Sequence, residues 1–296
     1  ALLDGEPVTG FESMRVRALL IYLAVEKSRP HRRETLVELF WPEQPSGVGA
    51  ANLRHALANL RKAIDDQHAT PPFLLITSTT LQFNAASATI IDLDRFTVLL
   101  ANHPPPAALQ EALPLYRSHF LEGFTLDDSP DFALWLTVLR ERVDYLTGQA
   151  LAQLVHNAVQ QGDFAQAVTW TQRQLAVDAL NEDIHLQLIW LLAHSGQRAA
   201  ALHHYDLCGA LLRQELAVEP QAALQALVTR IRAGSHELGV IYGQDGQPLT
   251  APSPLPTSPP TMGTPPTHLP TPPTSFIGRA QELALVAERL ADPACR

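Results

Sequence analysis

Cysteine is almost absent: the chain has two, Cys208 and Cys295, far apart and without paired spacing. That excludes a disulfide framework and a cysteine-based zinc cluster, and it points to a reducing, cytoplasmic setting. Long apolar runs are missing too. The longest, ALLIYLAV from Ala18 to Val25, is too short to span a bilayer, and no signal-peptide pattern precedes it, so no membrane is expected as a partner. The sequence contains no GxxxxGK[ST], no GxSxG and no HExxH. Catalysis therefore has no visible home, and neither an enzyme nor a cofactor is expected. Twelve histidines invite a metal site, but His203 and His204 are adjacent and point different ways round a helix, while His31, His55, His185 and His194 are scattered. No metal site is expected.

What is present is apolar substance and segregated charge. A hydrophobic content of 46% over 296 residues can bury a real core, and the length suits roughly two domains. The net charge of -9 argues against a nucleic-acid binder only as an average. From Ser13 to Ile64 nine basic residues face four acidic ones, a net of +5 that leaves -14 for everything else. A basic module joined to an acidic body is expected where one end meets phosphate.

Within the basic segment lies ANLRHALANLRKAIDD, Ala51 to Asp66, in which Leu53, Leu57, Leu60 and Ile64 recur at the spacing of one helical face. The other face carries Asn52, Arg54, His55, Asn59, Arg61 and Lys62, the residue types that read phosphates and base edges. Arg54 and Arg61 lie one heptad apart, so one is expected to touch DNA while the other ties the helix to its own domain. Before this helix the pattern predicts a strand and turn at Asp4-Gly5, a helix from about Ser13 to Lys27 with Leu19, Leu20 and Leu23 inward, and a shorter helix from about Arg32 to Phe40 stopped by Trp41-Pro42. Phe40 and Trp41 read as core. EQPSGVG reads as the loop into the third helix. After it, PPFLLI and LQFN flank Thr77-Ser78-Thr79-Thr80 as a hairpin. Three helices followed by a hairpin is the order of a winged helix-turn-helix, whose third helix enters the major groove. Thr77 and Thr79 can bond phosphate through their hydroxyls. The opening residues lack a Met and a partner strand, and the natural N-terminus is expected to lie upstream.

From Ile91 the sequence reads as helical almost without relief. GDFAQA at Gly162 recurs as GQRAAA at Gly196, an offset of 34 residues that also relates Leu154-Val155 to Leu188-Ile189. This is the period of tetratricopeptide helix pairs, with glycine at the turn and alanines at the close approach. The second unit runs on to LAVEP before Pro220. Glu122, Asp127, Asp128 and Asp131 read as a solvated loop, with Ser129 or Asp131 capping the next helix. Trp135, Trp170, Trp190 and Tyr205 read as packing residues. Between Pro248 and Ser275 there are 11 prolines and 7 threonines, a composition that cannot pack a core. The expected fold is mainly α, in four parts: residues 1–90 a winged-helix DNA-binding domain with a small β-hairpin wing, 91–234 a tetratricopeptide-like helical domain, 235–275 a linker, and 276–296 the start of a further domain.

The stretch MRVRALLIYLAVEKSRPHRRETLVELFWPEQPSGVGAANLRHALANLRKAI resembles the OmpR-like winged helix of bacterial antibiotic regulatory proteins of the SARP type, including the FWP that ends the second helix. FLEGFTLDDSPDFALWLTVLRERV, and then LAVDALNEDIHLQLIWLLAHSGQRAAALHHYDLCGALLRQELAVEP, resemble the bacterial transcriptional activator domain that accompanies it. The resemblance implies that the helical domain packs on the DNA-binding domain, and that it supports binding to repeated sites as a homodimer and contact with RNA polymerase. It places the recognition helix at Ala50 to Ile64. The wing departs from the family, having neither the Gly-Tyr pair nor basic residues. Phe276 to Arg279 and Glu282-Leu283 resemble the opening of the nucleotide-binding domain of STAND-class ATPases, which implies a longer natural protein. The expected function is sequence-specific, double-stranded DNA binding that activates transcription. A helical protein-interaction adaptor, or a signalling module of such an ATPase, is the other reading.

Overall fold

A computed structural model describes residues 1–249 apart from residues 4, 103, 236, 244, 245 and 247. The Pro/Thr-rich stretch beyond Leu249 and the segment 276–296 lie outside the described residues.

After a hairpin of β1 (Leu2–Leu3) and β2 (Glu6–Pro7), α1 runs over Met14–Val25. The Ser13 hydroxyl accepts from the Val16 N–H at 3.4 Å, supplying one of the donors that a helix start leaves unpaired. Val16, Leu19 and Leu23 are buried, whereas Leu20 is only half-buried. Pro30 stops the path. A short β3 (His31–Arg32) then leads into α2 (Arg33–Phe40), which buries Leu36 and Phe40. The third helix, α3, spans Ser46–Ala63, starting about one turn earlier than its sequence suggests. Ser-Gly-Val-Gly reads as a loop because of its glycines, but the Gly49 N–H already bonds the Pro45 carbonyl at 2.9 Å. Gly49 is there for packing: a Cβ on it would sit 2.4 Å from Val37 Cγ1 of α2. The expected hairpin forms as β4 (Leu74–Ile76) and β5 (Thr80–Phe83), antiparallel with Leu74 opposite Phe83 and Ile76 opposite Leu81. β3 pairs with the free edge of β5, giving the order β3-β5-β4. Leu81 and Phe83 point into the core beneath α1 and α3.

The helical part consists of α4 (Asp92–Leu99), α5 (Pro106–Ala112), α6 (Pro130–Gln160), α7 (Phe164–Val177), α8 (Glu182–His194), α9 (Arg198–Glu215) and α10 (Ala222–Arg232). The repeat is real in the backbone. Gly162 and Gly196 both take φ +75°, and each closes the same pair of bonds. Gly162 N–H reaches Val159 O at 3.0 Å and Asp163 N–H reaches Ala158 O at 2.9 Å; Gly196 N–H reaches Ala193 O at 3.1 Å and Gln197 N–H reaches Leu192 O at 2.8 Å. This left-handed closure satisfies the last carbonyls of α6 and α8 and turns the chain back.

Two expectations need correction. The loop expected around Glu122 to Asp131 extends over residues 116–129 and is apolar as well as solvated. There Arg140 of α6 replaces the missing ladder, donating from Nε to Phe120 O at 2.8 Å and from Nη2 to Leu121 O and Phe124 O. The segment 235–249 is also not spacer throughout. Leu238, Ile241 and Leu249 are buried, β6 (Ile241–Tyr242) pairs with β7 (Pro248–Leu249), and Trp190 Nε1 donates to Gly239 O at 2.9 Å. These residues close the apolar face that α8 and α10 leave open.

The winged helix and the helical part share a core. Leu126, Phe132 and Leu136 belong to the same buried cluster as Leu19, Phe40, Leu53 and Leu60, with Phe120, Leu121, Phe124 and Trp135 packed on it. The Phe132 ring lies 5.4 Å from Phe40, and Trp135 lies 5.1 Å from Tyr22. Polar contacts follow the same seam. Trp135 Nε1 donates to Glu26 Oε1 at 3.0 Å, Ser129 Oγ to Phe40 O at 3.3 Å, and ion pairs join Arg15 to Asp128 and Lys27 to Asp94. Ser129 does stand at the N-cap position of α6, but its hydroxyl serves this seam and caps nothing.

Candidate nucleic-acid interface

The inner face of α3 buries Leu53, Ala56, Leu57 and Leu60, and its outer face runs through Val48, Asn52, His55 and Lys62 with Arg54 on the flank. Arg54, His55 and Lys62 are exposed, and Asn52 is half-buried. None of these four has a hydrogen-bond partner among the described residues. Valine at the start of the face is 47% exposed, a feature that polar-residue counting missed. Such a surface offers donors, one apolar contact and cationic charge at the spacing of successive helical turns.

Two of the residues expected to read DNA do something else. Asn59 is 7% exposed. Its Oδ1 accepts from the Glu12 N–H at 3.0 Å and its Nδ2 donates to Gly10 O at 3.1 Å, so both ends of the amide hold the N-terminal segment against α3. Arg61 donates from Nε to the buried Asp66 carboxylate at 3.0 Å, and Asp66 in turn accepts from the Leu74 N–H at 2.9 Å. That chain of bonds ties the end of α3 to β4. Of the heptad pair, Arg61 is thus the tether and Arg54 is the free cation.

The wing turn is similarly divided. Thr77 Oγ1 bonds the Thr80 hydroxyl at 2.8 Å and accepts from the Thr79 and Thr80 N–H groups at 3.2 and 2.9 Å. Its hydroxyl is consumed in shaping the turn, which removes Thr77 from the phosphate-binding set. Thr79 keeps an exposed hydroxyl without a partner, while its carbonyl accepts from the Arg33 N–H at 2.9 Å. Arg33 also donates from Nε and Nη2 to Thr77 O at 3.2 and 2.9 Å. A wing without cations of its own therefore has a guanidinium lashed to its turn, and exposed Arg32 stands beside it in register with Thr80. Neither arginine was singled out from sequence, because the pairing of β3 with β5 that brings them to the wing spans two helices.

Other polar groups of the fold are structural. His185 and His204, scattered in sequence, meet with Nδ1 and Nε2 2.9 Å apart, and His185 Nε2 bonds Ala179 O at 2.9 Å. Burial, then the charges of His185 and His203, push His204 down to about 4. Burial and the Glu182 carboxylate raise the Cys208 thiol to about 11, so it stays protonated at neutral pH. Among the described residues no group of three histidine, cysteine or carboxylate side chains could hold a metal ion.

Residues 94–232 match the family described as the bacterial transcriptional activator domain. Over that stretch, a little under half of its length, the chain is similar to that domain. It is 27% identical over 269 residues to the regulatory protein AfsR of Streptomyces coelicolor, covering 86% of this chain and 26% of AfsR. It is 26% identical over 239 residues to the transcriptional regulatory protein EmbR of Mycobacterium tuberculosis, covering 77% of this chain and 60% of EmbR. The chain thus spans about a quarter of the first relative and less than two thirds of the second. The solved structure of M. tuberculosis EmbR in complex with a low-affinity phosphopeptide superposes with a TM-score of 0.56 over 78% of this chain and 62% of that one, at 22% identity, which shows the shared fold. A winged helix followed by a helical domain is the architecture of this chain, and of these relatives EmbR is a transcriptional regulatory protein.

Proposed function

We propose that this chain is a cytoplasmic, sequence-specific DNA-binding transcriptional activator of the SARP type without catalytic activity, with α3 in the major groove. One observation carries the reading. Arg54, His55, Lys62 and Asn52 stand on the outer face of α3 without internal partners, while Asn59 and Arg61 on the same helix are spent holding it in place. A helix fixed by its own polar residues and bare elsewhere suits a rigid reading head. Arg32, Arg33 and the Thr79 hydroxyl supply phosphate contacts beside the groove. Leu134, Val138 and Tyr145 recur along the outer side of α6 at 64%, 57% and 66% exposure. This apolar stripe supports protein contacts by the helical domain, either with a second copy on adjacent half-sites or with RNA polymerase.

Selection on random duplex DNA, followed by affinity measurements at several salt concentrations, tests the reading. A recurring motif is expected, with affinity falling steeply as salt rises because bound phosphates release counterions. Arg54→Ala and Lys62→Ala should each cost about 1 to 3 kcal/mol if the contact is to a base edge, or reduce the salt slope by about one unit if it is to phosphate. No enriched motif, together with salt-independent affinity, would favour the adaptor reading instead.

A further inference from the structure

The helical part bears a half-open cavity of about 280 Å³ lined by the irregular segment 116–122, α6 and α7. Its polar wall carries Arg117, His119 and Arg173 against a single acid, Glu122; Leu151, Ala176 and Val177 form an apolar side.

The cationic groups are held in place. Arg173 donates from Nη2 to Leu113 O at 3.3 Å and stacks over the Trp170 ring at 5.7 Å, which leaves Nε and Nη1 without a described acceptor. His119 Nδ1 donates to Asp144 Oδ2 at 2.7 Å, and the other carboxylate oxygen accepts from Tyr116 OH at 2.9 Å. The shared carboxylate orients the imidazole and leaves Nε2 as its uncommitted atom. Arg117 is exposed and has no partner among the described residues. Arg117 and Arg173 against Glu122 leave the lining with one positive charge in excess.

The segment bearing Arg117 and His119 also borders further space. A second hollow of about 50 Å³, lined by Phe96, Leu115 and Phe120 among others, shares Tyr116 and Ser118 with the first. Protein interiors are normally close-packed, so a stretch of chain bordered by two hollows can shift onto an occupant at low cost. The cavity lies at the small end of ligand sites, which start at about 300 Å³. We propose that it binds a small organic anion with a carboxylate or phosphate head, the head on Arg117, Arg173 and His119 Nε2 and a short carbon body on Leu151, Ala176 and Val177. The same stretch of chain continues into Leu126 and Asp128, which pack on and pair with the winged helix. Occupancy therefore acts on the element that seats the DNA-binding part.

The test titrates the full chain with inorganic phosphate and, separately, with succinate at constant ionic strength, following the His119 ring proton resonances and the thermal midpoint. At least one anion should give a saturable response, and which one distinguishes the phosphate from the carboxylate head. Arg117→Gln, at an exposed position that leaves the fold intact, should weaken it about ten-fold or more, the worth of a hydrogen bond to a charged group. Glu122→Gln should tighten it by removing the one acid on the wall. A response that rises linearly without saturation for both anions overturns the proposal, as does an unchanged Kd in either variant.

Discussion

Replacing Phe132 with alanine should destabilise the whole molecule, including the winged helix from which it is remote in sequence. Phe132 is 0% exposed. Its ring lies 5.4 Å from Phe40, 5.3 Å from Trp135 and 6.2 Å from Phe124, so one side chain touches α2, its own helix and the irregular segment. Truncating a buried phenylalanine costs about 3 to 5 kcal/mol, through lost transfer energy and the cavity left behind. With roughly 2 to 4 °C of thermal midpoint per kcal/mol at this size, the expected shift is about 6 to 20 °C. Circular dichroism melts should show one transition moving as a unit, because α1, α3 and α6 share this cluster. The fragment 1–90 removes Leu126, Phe132 and Leu136 together, about 5 to 9 kcal/mol of burial at about 1.5 to 3 for each side chain. That equals much of the roughly 5 to 15 kcal/mol available to a domain, so the fragment should not hold a cooperative fold at room temperature. A shift of less than about 2 °C on Phe132→Ala, or a fragment melting like the full chain, would refute a shared core.

Asn59→Ala should lower stability by about 1 to 3 kcal/mol through the unpaired Gly10 and Glu12 backbone groups, while leaving DNA affinity per folded molecule unchanged. Loss of affinity without loss of stability would return Asn59 to the reading face. His204, held at about 4 against 6.5 when unfolded, takes up its proton on unfolding between those values. Stability should therefore be fully present above pH 6.5, fall as the pH drops towards 4 and change no further below. Urea midpoints across that window should show the slope, and His204→Gln should reduce proton uptake by about one; an unreduced slope would show another group is responsible. Asp128→Asn breaks an exposed ion pair worth about 0 to 1 kcal/mol, so stability should barely change. Freed Arg15 should raise affinity for random duplex at low salt, and an unchanged affinity would place that charge outside the field of the DNA.

The helix order, the hairpin and the paired glycines were legible because each signal is local. Leucine spacing, Thr-rich turns and a left-handed closure at Gly162 and Gly196 depend on a few neighbouring residues. What stayed hidden depends on distant partners. Asn59 belongs to the reading set by residue type and position on the wheel; only the approach of Gly10 and Glu12 makes it structural. Gly49 reads as a loop residue until Val37 is brought against it. Glu122, Asp127 and Asp128 read as a solvated loop, and nothing local shows that Arg140 takes over the carbonyls of Phe120, Leu121 and Phe124 and packs that loop on the core. Pro248 invites a linker to start, yet Leu249 is buried beneath the last helices.

The charge segregation in the sequence is also divided more finely than a basic head and an acidic body. Three of the nine cations between Ser13 and Ile64 are already paired: Arg15 with Asp128, Lys27 with Asp94 and Arg61 with Asp66. Two of those acids come from the helical body, and their partners lie in α1 and just after it. The body therefore quenches positive charge at α1, while Arg54, Lys62, Arg32 and Arg33 have no acid partner among the described residues. Non-specific attraction to phosphate scales with the cations left free, whereas base reading needs them at fixed positions. Pairing the cations at α1 while leaving α3 and the wing bare trades overall attraction for orientation. The acidic excess of the chain is thus compatible with the proposed DNA binding and would help aim it, because the ion pairs that quench charge at α1 also join the helical body to the winged helix.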